Sequence, residues 1–335
     1  MGETDMGIAM KSGPRGKQQG MAVIMALLIV ALATTAASLV LWQQGLWWHQ
    51  LDNDRNRAQL RLVADAGLGW AMEILRFNNG AAGNGVVALS QLWAQPLPQT
   101  EAQGVTVAGQ LSDLQGRFNL NSLVQNGQPN ARQLVFYKRL LTTLGLPTRL
   151  SDPLVKQLRG GKDQDEASQP AGESRLPEPG AAAPGHPLLR VEMLRWVPGY
   201  TPEVLDKLLP HVAALPAEVS QININTATPA VMKTLLPGVG DGNLLVLLNQ
   251  RKVNYYKDAN DFKARLPAPG IIADTDIAAA SNYFMLDSSA RLERARLDMR
   301  ALIYSNMNVV KALWRQDGAG RPQPARGNGN QNDNA

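Results

Sequence analysis

The strongest pattern in the chain is an apolar run near its start. From Met21 to Trp42 it reads MAVIMALLIVALATTAASLVLW, 22 residues without a charge. At 1.5 Å per residue such a run makes a helix of roughly 33 Å, enough to cross the hydrocarbon core of a bilayer. Lys11, Arg15 and Lys17 precede it, and Trp42, Trp47 and Trp48 follow it before the next acid, Asp52. Cations favour the cytoplasmic side and tryptophans the interface, so the pattern predicts a cytoplasmic N-terminus, one span and a body beyond the membrane. A cleaved secretory signal is the competing reading, because Ala33 to Ser38 offers small residues at peptidase spacing. The apolar run is long for such a signal, and helical patterning continues past it.

Leu60, Val63, Gly67, Trp70, Ile74 and Phe77 keep the spacing of one helical face, which predicts a single helix from Met21 to about Phe77. Its second half needs a sheet to cover that stripe. After Asn78-Asn79-Gly80 the period is lost. Val105 to Asp113 then reads as a strand and Arg117 to Leu123 as a second extended segment, with Gly116 at the turn.

Arg132 to Leu144 and Ser151 to Leu158 return to helical spacing, with Pro147 as a boundary and Pro153 at a first helical position. Gly160 to Pro187 holds five Gly, five Pro and one large apolar residue, Leu176, and reads as a loop or disordered insert. Two similar units follow, each a helix, a Pro-Gly turn and a helix, around Pro198-Gly199 and Pro237-Gly238. A further helix is predicted from Asp258 to Leu266. Past Asp276 the period changes to two: Ala295, Leu297, Met299, Ala301 and Ile303 alternate with Arg294, Arg296, Asp298, Arg300 and Leu302. Val309 to Arg315 reads as the hairpin partner, and the tail from Gly318 as unstructured. Strands on both sides of a helical block imply an α+β fold: a long N-terminal transmembrane helix and an antiparallel sheet interrupted by an inserted all-α domain with duplicated helix-hairpin-helix-like units.

Composition narrows the chemistry. Over 335 residues there are 33 Lys+Arg against 28 Asp+Glu, no Cys and three His, namely His49, His186 and His211, far apart in sequence. No disulfide framework, thiolate zinc site or thiol nucleophile can be built from this set. A net charge of +5 over this length lacks the dense basic blocks of a phosphate-tracking surface. No Ser/His/Asp triad, catalytic carboxylate pair or phosphate-binding Gly loop is present, and His211 follows Pro210 in an ordinary helix end. The chain reads as non-enzymatic.

The N-terminus resembles a known class. A short basic leader ending in Gly20, then Met21, then an apolar stretch with no spacer is similar to the type IV prepilin cleavage site, cut between Gly20 and Met21. The resemblance implies that a prepilin peptidase removes the leader on the cytoplasmic face, that the new N-terminus is methylated, and that the helix becomes the stalk of a filament subunit. The fifth residue of a mature pilin is usually Glu; here it is Met25. In ordinary pilins that carboxylate, costly inside a bilayer or filament, pairs with the amine of the next subunit up. A subunit with nothing above it has no such partner, and the K-type minor pseudopilin of type II secretion is the member that lacks the Glu. LSDLQGRFNLNSL, HPLLRVEMLRWVPGYTPEVLDKLLPHV and ININTATPAVMKTLLPG resemble the same family, in the same order.

That resemblance implies a pilin-like sheet and a place at the tip of a periplasmic pseudopilus, starting filament assembly for protein export across the outer membrane. It implies as partners the I- and J-type minor pseudopilins, the major pseudopilin, the prepilin peptidase and the inner membrane, with exported proteins as further candidates and no nucleic acid. The corresponding division is a leader at 1–20, stalk helix at 21–80, first part of the β domain at 81–124, inserted α domain at 125–280, C-terminal strands at 281–317 and a disordered tail at 318–335.

Two motifs compete with this reading. ININTATPAVMKTLLPGVGDG resembles a helix-hairpin-helix, whose Gly-h-Gly turn offers backbone N–H groups to nucleic-acid phosphate, so a membrane-tethered DNA-binding protein is the alternative. Asp241 directly after Gly238-Val239-Gly240, with Lys233 the only close base upstream, opposes phosphate and favours a packing role. Asn223, Asn225 and Thr226 read as helix-capping chemistry, with Thr228 as N-cap before Pro229. The other motif is Asp163, Asp165, Glu166 and Glu173, hard oxygen ligands in a Gly-rich loop that match the family's acidic stretch and would suit Ca²⁺. Gly160 and Gly161 replace the family's Trp and first Asp, and a solvated polar loop stands beside the calcium reading. A signal-peptide-bearing periplasmic binding domain is the remaining alternative.

Overall fold

The computed structural model describes residues 16–79, 85–102, 104–160, 187–267, 276–293 and 295–318. It divides into two compact units, Met1–Gln59 and Leu60–Ala335. One helix, α1 (Gly16–Asn79), contributes to both. In the first unit Met21–Gln44 is long and apolar enough to cross a membrane, and none of that window is buried within the chain. The hydroxyls in the run are satisfied inside the helix itself: Thr34 and Thr35 donate to the carbonyl of Ala31, and Ser38 to that of Thr34. Such back-bonding removes the need for water and makes these residues tolerable in lipid.

In the second unit the chain builds β1 (Leu97–Ala102) and β2 (Val105–Asp113), then a long excursion, then three more long strands. The excursion carries β3 (Phe118–Asn119), β4 (Val124–Gln125), β5 (Gln128–Pro129), α2 (Ala131–Thr143), α3 (Ser151–Arg159), a 3-10 helix at Val191–Trp196, α4 (Pro202–Leu208), β6 (Val212–Ala213), β7 (Ile222–Asn223), α5 (Pro229–Leu235), α6 (Asp241–Val253), α7 (Ala259–Ala264) and β8 (Ile277–Ala278). It closes into β9 (Tyr283–Leu292), β10 (Ala295–Ser305) and β11 (Val310–Gly318). The main sheet runs β1-β2-β9-β10-β11, all antiparallel. Asp113 pairs with Phe284, so the excursion leaves and rejoins the sheet at adjacent positions.

Period-two patterning in β10 puts Met299, Ala301 and Ile303 on one face, with Phe284 and Leu286 of β9 and Leu111 of β2 beside them. Ala64, Ala71 and Leu75 of α1 pack there, and Trp93 closes the layer edge-on to Phe284, ring centroids 5.2 Å apart. Leu60 and Val63 extend the contact over Val105, Val107 and Ala290. Trp70 and Phe77, assigned to this stripe from their spacing, are instead 49% and 65% exposed. The helix approaches the sheet on its alanines, and the bulky residues flank that line, because small side chains let helix and sheet backbones come closest. Asn79 anchors the helix end by donating to the Ser305 hydroxyl and the Asn306 carbonyl, and Asp65 pairs with Arg315 of β11.

The inserted block has its own core, centred on Phe118, Tyr137, Leu154, Leu194, Met232 and Phe262. It is not purely helical: the pairings β3 with β6, β4 with β5 and β7 with β8 each span two residues. The extended segment expected from Arg117 to Leu123 stops at Asn119, because Leu120–Leu123 turns into a 3-10 helix capped by the Asn119 side chain. The first half of the earlier Pro-Gly unit is likewise a 3-10 helix. Both Pro-Gly turns place their glycine at positive φ, 90° at Gly199 and 93° at Gly238, where a side chain would be strained.

Candidate functional site

The segment ININT is the joint between the inserted block and the sheet. Asp113, at the end of β2, is buried, and its Oδ2 accepts from Asn223 Nδ2 at 2.9 Å, Thr226 Oγ1 at 2.5 Å and Ser281 Oγ at 2.6 Å, while Oδ1 accepts from the Gln115 N–H at 2.8 Å. Burial pushes the Asp113 carboxyl above its ordinary value, and the hydrogen bonds from Ser281, Thr226, Gln115 and Asn223 hold the rise back. Asn223 also donates to the Val87 carbonyl. Asn225 brackets Tyr256 with both side-chain atoms, accepting from its N–H at 2.8 Å and donating to its carbonyl at 2.9 Å. These asparagines therefore join segments distant in sequence. Thr228 does cap α5, accepting from the Val231 N–H with Pro229 at the first turn.

At the hairpin, Asp241 lies in the first turn of α6 and pairs with Lys233 at 2.7 Å. The cation that would have met a phosphate is thus held by an acid of the same chain, where an acid also suits the helix dipole. His211 is partly buried with Nδ1 2.8 Å from Thr228 Oγ1, and burial, reinforced by Arg117, pushes its pKa below the ordinary imidazole value. Its contact is with a capping residue.

Gly20 and Met21 lie within α1, and the Met21 side chain is exposed. Asp163, Asp165, Glu166 and Glu173 lie outside the described residues, as do residues 1–15 and 319–335. Among the described residues no cluster of three or more His, Asp or Glu side chains is arranged to hold a metal ion. The described ends of that loop are fixed: Gly160 terminates α3 in the left-handed conformation, and Leu188 is buried with its N–H held by Asn121 Oδ1 at 2.8 Å. Sequence reasoning missed the Asp113 cluster, and it missed the apolar surface that α1 leaves uncovered at Leu62, Trp70 and Phe77.

Two family models, both described as type II secretion system (T2SS), protein K, match residues 116–217 and 222–281. A type II secretion system protein K of Pectobacterium carotovorum subsp. carotovorum is 26% identical over 326 residues, covering 92% of this chain and 98% of the relative. Proteins of the same description from Klebsiella pneumoniae and Pseudomonas aeruginosa are also 26% identical, covering 90% and 93% of this chain and 97% of each relative. Among solved structures, a chain in the GspK-GspI-GspJ complex from the enterotoxigenic Escherichia coli type 2 secretion system superposes with a TM-score of 0.64 at 23% identity, covering 81% of this chain and 100% of that one.

Proposed function

The chain belongs to the type II secretion system protein K family, and from that premise we propose that it is the minor pseudopilin at the tip of the pseudopilus, where it starts filament assembly with the I- and J-type subunits. The observation that carries the tip position is Met25. It stands fifth after Gly20, where a filament-interior subunit would need a carboxylate to meet its neighbour's amine. The solved relative bears that family's K subunit together with I and J subunits, which supports the choice of partners. The outer face of α1 offers them Leu62, Trp70 and Phe77, large exposed apolar side chains of the kind that mark interaction surfaces.

A tip subunit occurs once per filament. Immunogold labelling of an epitope added after Ala335, on pseudopili sheared from cells, should mark one end of each fibre. Gold distributed along the fibre would overturn the tip assignment.

Processing provides a second expected result. Mass spectrometry of the chain from the membrane fraction should find a methylated N-terminus at Met21. A mature start near Ser38 would restore the secretory-signal reading and remove the filament argument.

A further inference from the structure

Helix α1 runs unbroken from Gly16 to Asn79, yet what supports it changes along its length. Met21–Gln44 is apolar enough to be held by lipid. From Leu60 onward the helix is held by the sheet, with Leu60, Ala64, Ala71 and Leu75 all buried. Between these two supports lie residues 45–59, roughly 22 Å of helix at 1.5 Å per residue. No described side chain of that stretch is buried: Trp47, Trp48 and Leu51 are exposed, as are Asp52 to Arg55, and Asn56 and Gln59 are only half-covered. With so little tertiary packing, the helix depends there on the intrinsic preference of its residues.

That preference is lowest at Asp52-Asn53-Asp54-Arg55-Asn56. Four of these five residues are Asp or Asn, whose short polar side chains bond nearby backbone groups in non-helical conformations. Each is about threefold less favourable in a helix than alanine, so the four together weaken the stretch by roughly fiftyfold. Asp52 with Arg55 and Asp54 with Arg57 stand at the spacing of helix ion pairs, but an exposed pair of that kind restores less than one such residue removes. Gly67 and Gly69 are no better as helix formers, and there the burial of Ala64, Ala71 and Leu75 offsets them. Only at Asp52–Asn56 do weak preference and missing cover coincide. The chain also divides into its two compact units just past this point, after Gln59.

We propose that α1 carries a hinge at Asp52–Asn56: the helix opens there locally and reversibly, while the apolar run before it and the packed half after it stay helical. Opening at this place breaks backbone hydrogen bonds that water can replace and no buried contact. The apolar run can then follow whatever holds it without disturbing the packing of α1 on the sheet.

The test is hydrogen exchange of the full-length chain in detergent micelles, read by mass spectrometry of overlapping peptides and expressed as protection relative to the unstructured chain. Amides from Asp52 to Gln59 should be at least about a hundredfold less protected than those of Met25 to Leu41 and of Leu60 to Leu75. The triple variant Asp52→Glu/Asn53→Ala/Asp54→Glu keeps every charge and raises helix preference. It should increase protection over this stretch about fivefold to tenfold and leave the other two stretches unchanged. Asn53→Gly should lower protection there about twofold. Equal protection along the whole helix, no response to the triple variant, or a response shared by Leu60 to Leu75 would each overturn the proposal. So would exchange that is fastest at the start of α1 and slows steadily toward Leu60, because that is fraying from an end and not a hinge.

Discussion

Replacing Asp113 with alanine should lower the unfolding free energy of the chain by about 3 to 5 kcal/mol, measured by near-ultraviolet dichroism on denaturation in detergent. The carboxylate accepts from four donors, and removing it strands the Asn223 amide, the Thr226 and Ser281 hydroxyls and the Gln115 N–H in a buried place. Each buried donor left unmade costs about 1 to 3 kcal/mol, but the losses are not additive. Asn223 keeps the Val87 carbonyl, and Thr226 can turn toward the Asn223 carbonyl, 3.5 Å away. Asp113→Asn retains acceptor oxygen and should lose less, about 1 to 3 kcal/mol. The pH dependence separates charge from hydrogen bonding. Burial raises the folded-state pKa of Asp113 above its value of 3.8 in the unfolded chain, so its contribution is fullest below 3.8 and declines as pH rises through the folded pKa. The advantage of wild type over Asp113→Asn should therefore widen as pH falls from neutral toward that value. A loss under about 1 kcal/mol for the alanine variant, or an advantage that narrows on acidification, would mean that water replaces the carboxylate and the joint is held elsewhere.

Elements stabilised by their own periodicity were readable in the sequence. The apolar span, α2, α3, α7 and the hairpin of β10 and β11 all lie within a residue or two of their expected limits, except that β11 runs on to Gly318. β9 was not readable. It places Asp287, Ser288 and Ser289 in mid-strand, breaking the alternation, and it is strand because β2 and β10 satisfy its backbone on both sides. β1 holds Pro98 and a register shift, both tolerated because it lies at the edge of the sheet. Along α1, spacing identified a helical face, but residue size was a misleading guide to which side of that face meets the sheet. The Asp113 cluster could not be found by motif, since its donors Asn223, Thr226 and Ser281 lie 110, 113 and 168 positions away. The expectation of cleavage between Gly20 and Met21 rests on a contiguous signal, a leader followed by an apolar helix.

Gly116→Ala should destabilise the chain by about 3 kcal/mol, the upper end of what one added methyl costs in a packed interior. A Cβ at Gly116 would lie 2.6 Å from both the carbonyl oxygen and the Oγ1 of Thr226, and the carbonyl cannot swing aside as a side chain can. The two backbones are zipped there, the Asn223 N–H donating to Gln115 at 2.9 Å and the Thr228 N–H to Gly116 at 3.1 Å, so relief requires breaking those bonds. Gly67→Ala is the control, because nothing lies within 4 Å of its added Cβ and the residue is helical. Alanine there should stabilise by about 0.5 to 1 kcal/mol through helix propensity and a less flexible unfolded chain. Opposite signs from one chemical change are the expected result, read from melting temperatures of the two variants side by side. Thr226 also donates to Asp113, so the methyl at position 116 disturbs the carboxylate cluster as well. The double variant Asp113→Ala/Gly116→Ala should then lose less than the sum of the single losses, by about 1 kcal/mol or more. Strict additivity would show that the close approach at Gly116 and the Asp113 cluster are separate joints.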